Sequence, residues 1–291
     1  MSIYTVKNIL KSFDFYVIIG MKIIMMLKIS TKGETMDIQN INKLINSFLD
    51  IGEMMLDSGG EINRVEDTLS RLCRAYGAEE ANAFAITSAI IITAKFPGEN
   101  YVTHSRRIYS GGNTDFKKLD SLNSLSRECS DGIISPDELD EKVNEIKNRC
   151  ANVFRMYAGS ALAAGAFAVF FGGTLYDGVV SAVFGLIICL FQRTVLKLCP
   201  NKVFFYFLCS FVVGFVICMT DMLFPSIDRD LVMIGDIMLL IPGVAITNAM
   251  RDIIIGDTVS GITKLTQCLL WAGALAGGFM LAISLSGGVA L

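Results

Sequence analysis

The residues best suited to chemistry lie between positions 239 and 261, in the stretch LLIPGVAITNAMRDIIIGDTVSG. Within an apolar run that begins at Leu231, a Pro242-Gly243 pair is preceded by Asp236 and followed by Thr247, Asn248, Arg251, Asp252 and Asp257. Pro242 has no N–H to offer the carbonyl of Met238, and its ring crowds that turn, while Gly243 loosens the next one. A helix broken here inside a membrane exposes carbonyls and a new half-helix N-terminus, which broken-helix transporters use to hold anionic or zwitterionic solutes. A packing kink is the plainer alternative, since Pro and Gly are frequent in membrane helices. If both sides are helical, Asp236, Leu240, Gly243, Thr247 and Arg251 share one stripe, and Asn248 and Asp252 a neighbouring one. In such a site Arg251 offers a fork matched to a carboxylate, and Asp236 or Asp252 holds an ammonium group or a coupling proton. Thr247 and Asn248 supply hydrogen bonds. Two structural readings stay open: Asp236 near a membrane interface, and Arg251 with Asp252 as a snorkelling pair at the helix end.

A second polar cluster comes much earlier, in Ser58-Gly59-Gly60-Glu61, Arg64, Glu66 and Asp67. Acids at the start of a helix are ordinary helix design, so this group reads equally as structure. His104 is the single histidine, and a lone histidine points to no metal site. No P-loop, G-x-G-x-x-G or G-x-S-x-G pattern occurs. We therefore expect no cofactor, no metal and no enzymatic activity.

The elements that must position these residues divide the chain in two. Hydrophobic residues make up 53% of 291 positions, and charged residues only 18%. Of the 53 charged residues, 13 lie from Met156 onward, and no Glu occurs after Glu145. This asymmetry predicts an N-terminal α+β domain over 37–150, followed over 151–291 by an all-α membrane domain of about five spans. A net charge of −3 without a long basic run argues against a nucleic-acid partner. The eight cysteines form no C-x-x-C pair, and those in the membrane half read as small buried hydrophobes. Residues 1–36 form an extension in which Lys22 interrupts a weak apolar run. It reads either as an interfacial anchor or as sequence ahead of a true start at Met36.

From Met36 onward, Ile38, Ile41, Ile45, Phe48, Gly52 and Met55 recur at helical spacing. A second helix carries Ile62, Val65, Leu69, Leu72 and Tyr76 on one face and stops at Gly77. Phe84, Ile86, Ile90 and Ile92 alternate with smaller residues and read as one strand, which Pro97-Gly98 turns into another at 101–104. Two further helices follow: one with Phe116, Leu119, Leu122 and Leu125, the other capped by Ser135 with Pro136 at its first position. The last carries Leu139, Val143, Ile146 and Cys150 on its apolar face.

The predicted spans are about 156–176, 178–197, 203–220, 231–250 and 265–285. Arg149, Arg155, Arg193, Lys197, Lys202, Arg251 and Lys264 all fall on connections to one side, and Asp-rich loops on the other. The positive-inside rule then places the N-terminal domain in the cytoplasm and the C-terminus outside. Gly159/Ala163, Ala161/Gly165 and Gly273/Gly277 are small-residue pairs that let helices approach closely, either within the chain or against a partner.

Ile241-Pro242-Gly243-Val244, Thr247-Asn248-Ala249-Met250-Arg251-Asp252, Gly256-Asp257 and Ser260-Gly261 resemble the signature of the threonine/serine exporter family. Ser58-Gly59-Gly60-Glu61, Arg64-Val65-Glu66-Asp67-Thr68 and 107–113 resemble that family's N-terminal domain, so the likeness runs from about Asp37 to the end. Full-length members have about ten spans. With about five, this chain is similar to the larger subunit of the split, succinate-type exporter, in which a second, smaller membrane protein supplies the other half. The resemblance implies a cell-membrane subunit that exports threonine and serine, or a dicarboxylate such as succinate, by alternating access. An odd span number would leave that second half inverted, as in inverted-repeat transporters. Homo-oligomerisation stays open, as does the reading of a membrane-tethered sensor or enzyme whose spans only anchor it.

Overall fold

The computed structural model describes residues 38–109, 114–149, 152–199 and 201–287. The expectations for 1–36, for part of 107–113 and for Cys150 lie outside these residues.

The helices of the N-terminal half follow their apolar periodicity. Helix α1 (Ile38–Asp57) buries Ile41, Ile45, Phe48, Gly52 and Met55, whereas Ile38 on the same stripe is exposed. Helix α2 (Ile62–Ala75) buries Ile62, Val65, Leu69 and Leu72. Helices α3 (Phe116–Ser130) and α4 (Pro136–Asn148) complete the layer. Leu122 and Leu125 of α3 point inward while Phe116 points out. Ser135 caps α4 through a capping box with Glu138. The acceptor bonds it receives hold the Glu138 carboxyl below its usual range.

The expected single strand over 84–93 is instead a hairpin. Strands β1 (Glu80–Ile86), β2 (Ala89–Lys95) and β3 (Tyr101–Arg107) form an antiparallel sheet in that order, and Ile86 pairs with Ala89 across a two-residue turn. Cross-strand partners share a face, so Ala83 and Ala85 join Ile92 and Ile90 in the core. Phe84 consequently faces outward, 56% exposed. Thr87-Ser88 lacks the Asn-Gly or Asp-Gly signal of a tight hairpin, and the apolar alternation runs through it.

Helices α5 (Val153–Phe170), α6 (Leu175–Thr194), α7 (Lys202–Leu223) and α10 (Thr258–Leu285) are each long and apolar enough to cross a membrane. Between the last two, α8 (Arg229–Leu240) and α9 (Gly243–Ile255) meet at 50°. At 1.5 Å per residue neither half reaches the roughly 30 Å of a hydrocarbon core, but the pair together does. A second core, including Phe184, Phe205, Val213, Met233 and Phe279, holds this half together. Leu162, Phe170, Leu175, Leu269 and Met280 stand exposed around it, as lipid-facing side chains would.

The bundle is assembled at glycines, though not all the expected ones. α5 and α6 touch where a side chain on Gly165 would meet the Gly178 carbonyl at 2.6 Å. Gly159 and Gly273, by contrast, have nothing within 4 Å, so those two small residues serve no close approach among the described residues. Asp177, at the start of α6, is buried and satisfied: in a capping box with Thr174 it accepts from that residue's N–H at 2.8 Å, and it accepts from the Asp228 N–H at 2.9 Å.

Candidate functional site

The break is a tight backbone turn. Ile241 is extended, Pro242 sits at φ −78°, ψ 57°, and the Gly243 N–H donates to the Ile241 carbonyl at 2.8 Å. These are the dihedrals of an inverse γ-turn. Helix resumes at once, with the Ile246 N–H donating to the Pro242 carbonyl at 3.0 Å. Thr247 uses its hydroxyl on its own helix, donating to the Gly243 carbonyl at 3.0 Å.

The bend divides the expected polar stripe into two places. Asp236 lies on α8 inside the bundle, fully buried against α6. Its Oδ1 accepts from the Ser181 hydroxyl at 3.2 Å, and its Oδ2 has no hydrogen-bond partner among the described residues. Gly235 beside it brings α8 onto α5, since a Cβ there would meet the Ala164 carbonyl at 2.7 Å. An unpaired buried oxygen of this kind is costly in an apolar interior.

The residues of α9 face the N-terminal domain instead. The Asn248 side-chain amide donates to the Gly59 carbonyl at 2.9 Å, and Arg251 Nη1 lies 2.7 Å from Glu61 Oε1. Arg251, expected to meet a carboxylate, thus already holds one from its own chain. Asp252 is 1% exposed and accepts from Lys264 Nζ at 2.7 Å, so its partner is on α10 and not the neighbouring Arg251. Glu66 accepts from the Ala85 N–H at 2.7 Å. Burial raises the Glu66 carboxyl above its usual range; the Ala85 N–H opposes this, and the negative Asp257 nearby adds to it.

Local geometry explains why these residue types occur here. Gly59 sits at φ +88°, where a side chain is disfavoured, and turns the end of α1 so that its carbonyl meets Asn248. Ser58 is buried, and its carbonyl accepts from the Asp115 N–H at 3.1 Å. Gly261 lets α10 lie on α9, because a Cβ would meet the Ala249 carbonyl at 2.8 Å. Arg64 is exposed on the first turn of α2.

Between the two halves lies a cavity of about 320 Å³. Gly59 and Asp57 line it from the N-terminal domain, with Thr87 and Ser88 from the hairpin turn. Asn248, Lys264, Gln267 and Trp271 line it from α9 and α10. Burial first, and then the nearby Glu53 charge, raise the Asp57 carboxyl; Lys118 and Lys202 oppose the rise. Lys202 Nζ lies 5.3 Å from the Trp271 ring centroid. Of the residues singled out along the sequence for a site, Gly59, Gly60 and Asn248 line this cavity. Lys264 and Trp271 carried signals, as one of two basic residues after the break and as the chain's single tryptophan, but nothing local tied either to α9. Among the described residues no three His, Cys, Asp or Glu side chains are grouped to hold a metal, and His104 shares a 2.9 Å hydrogen bond with Asn42.

The threonine/serine exporter family profile matches residues 46–286. A protein of Mycobacterium tuberculosis named "Probable threonine/serine exporter" is 21% identical over 244 residues, which cover 83% of this chain and 46% of that one. The chain thus spans about half the length of the curated relative it matches. No solved structure matches it.

Proposed function

This chain belongs to the threonine/serine exporter family, and on that premise we propose that it is a subunit of a secondary transporter exporting small carboxylate-bearing metabolites by alternating access. The observation that carries the reading is the break at 241–243. It leaves α9 as a separate half-helix whose polar side chains meet the N-terminal domain while α8 stays packed in the bundle. A half-helix hinged at one end can change its angle without unpacking the span that precedes it.

In this reading Pro242 and Gly243 form the hinge, and Asn248, Asp252 and Lys264 face the solute. Thr247 lends its hydroxyl when α9 tilts. Arg251 is assigned to a solute carboxylate in the state in which Glu61 releases it. Asp236, buried with one free oxygen, is assigned the coupling proton. We assign the N-terminal domain to the cytoplasmic side, a reading that the Lys/Arg-rich connections support. We assign a second half of the pathway to a smaller membrane protein, a reading supported by counting the bent pair as a fifth span, since an odd number would leave an equivalent half inverted.

The test is efflux. Cells loaded with labelled threonine, serine or succinate are compared with and without this chain, alone and together with the candidate second half. Faster loss of at least one solute is expected. Unchanged loss of all three, with the protein present in the membrane, overturns the proposal.

A further inference from the structure

We propose that the cavity between the N-terminal domain and α9–α10 is a binding site for a zwitterionic α-amino acid, with its carboxylate on Lys264 and its ammonium group on Asp57. The inference rests on the exporter reading and extends its solute site to the N-terminal domain, in the state in which Glu61 still holds Arg251 and Lys264 takes the carboxylate. Both halves of the chain build it.

Size is the first argument. At about 320 Å³ the cavity falls at the small end of the range for small-molecule sites, roughly 300–1,000 Å³, which suits a metabolite of a few heavy atoms.

Charge is the second. Lys264 stands on the α10 wall and Asp57 on the domain wall. Lys264 is held in place by Asp252, which is itself 1% exposed, and an ammonium group with three donors keeps others for a ligand. Asp57 shares its field with Lys202, yet a carboxylate accepts from several directions at once. These two cations and two acids leave the site neutral. A zwitterion keeps it neutral, whereas a dicarboxylate would bring two uncompensated negative charges into a partly desolvated space.

Polar matching is the third. Asn248 and Gln267, with the Thr87 and Ser88 hydroxyls, can meet a side-chain hydroxyl, while Trp271 offers an apolar face to the carbon skeleton.

Trp271 also provides the readout, being the one tryptophan in the chain. The full chain, purified in whatever assembly exports solute in cells, is titrated with L-threonine, L-serine, succinate and 3-hydroxybutyrate while tryptophan emission is recorded, with Trp271→Phe as the blank. A saturable change with L-threonine or L-serine is expected. Binding should be about tenfold weaker or more for 3-hydroxybutyrate, which lacks the amino group, and for Asp57→Asn with the amino acids. Lys264→Gln alone would strand the buried Asp252, so it is paired with Asp252→Asn, and the double variant should weaken L-threonine similarly. If that double variant does not elute as a single species, Asp57→Asn and 3-hydroxybutyrate still decide. Succinate saturating at the same or lower concentration than the amino acids overturns the inference. So does the absence of any saturable change in an assembly that exports them. The latter result leaves the exporter reading standing, because that reading fails only when no solute leaves the cells faster.

Discussion

Arg251 Nη1 lies 2.7 Å from Glu61 Oε1, which joins the C-terminal part of the broken span to the start of α2 in the N-terminal domain. One turn away, Asn248 donates to Gly59, 189 positions distant in sequence. Two motifs that look independent along the chain therefore form one junction. The Arg251 side chain is 58% exposed, so solvent screens the pair and its worth in stability is about 0–1 kcal/mol. Its effect is on position more than on stability.

Glu61→Arg should slow efflux by like-charge repulsion while changing stability by no more than about 1 kcal/mol. Combining it with Arg251→Glu rebuilds the pair with reversed polarity, yet the double variant should stay as slow as the single one, because the guanidinium assigned to the solute carboxylate is gone. Recovery of most of the transport rate would show that Arg251 serves the junction alone. Efflux rates normalised to membrane protein distinguish these outcomes.

Gly261→Ala should destabilise the α9–α10 contact by about 1–3 kcal/mol, because the added methyl meets the Ala249 carbonyl at 2.8 Å and backbone must move. Gly243→Ala meets nothing within 4 Å and should accumulate in the membrane as the parent does. If its transport nonetheless falls, Gly243 acts through hinge freedom, not space. Thermal denaturation and efflux, measured on the same preparations, separate the two effects.

Glu66 supplies a pH prediction. Its carboxyl titrates above the usual 4.5 in the folded chain, chiefly from burial. The folded state therefore binds that proton more tightly than the unfolded one, and stability falls as pH rises through the raised value. Glu66→Gln should melt at a higher temperature than the parent at pH 7, since the amide oxygen can still accept from Ala85. The difference should shrink as pH is lowered and disappear below about 4.5. A constant difference across that window would remove Glu66 as its source.

Asp236→Asn keeps the shape of the buried carboxylate and its bond from Ser181 but cannot carry a transferable proton. Efflux by this variant should no longer respond when a protonophore collapses the proton gradient. Retention of the parent's full sensitivity would exclude Asp236 as the coupling group.

Some of this was written plainly along the chain. The division into a charged half and an apolar half follows from local composition, and helices α1, α2 and α4 from apolar spacing and capping residues. The break at Pro242-Gly243 needs no neighbour to explain it, because proline removes its own donor wherever it stands. The hairpin at Thr87-Ser88 was hidden because alternation looks the same through a two-residue turn without turn residues.

The site itself was decided in three dimensions. Periodicity placed Asp236 and Arg251 on one stripe, which assumes a straight axis; a 50° bend sends one to Ser181 in the bundle and the other to Glu61. Asp252 and Lys264 are an intimate pair, but nothing in the spacing distinguishes Lys264 from Arg251 as the partner. A sequence records which charges exist and which helical face each occupies locally. Which opposite charge each meets depends on how helices far apart in the chain pack together, and that packing assembles Asp57, Asn248, Lys264 and Trp271 around one cavity.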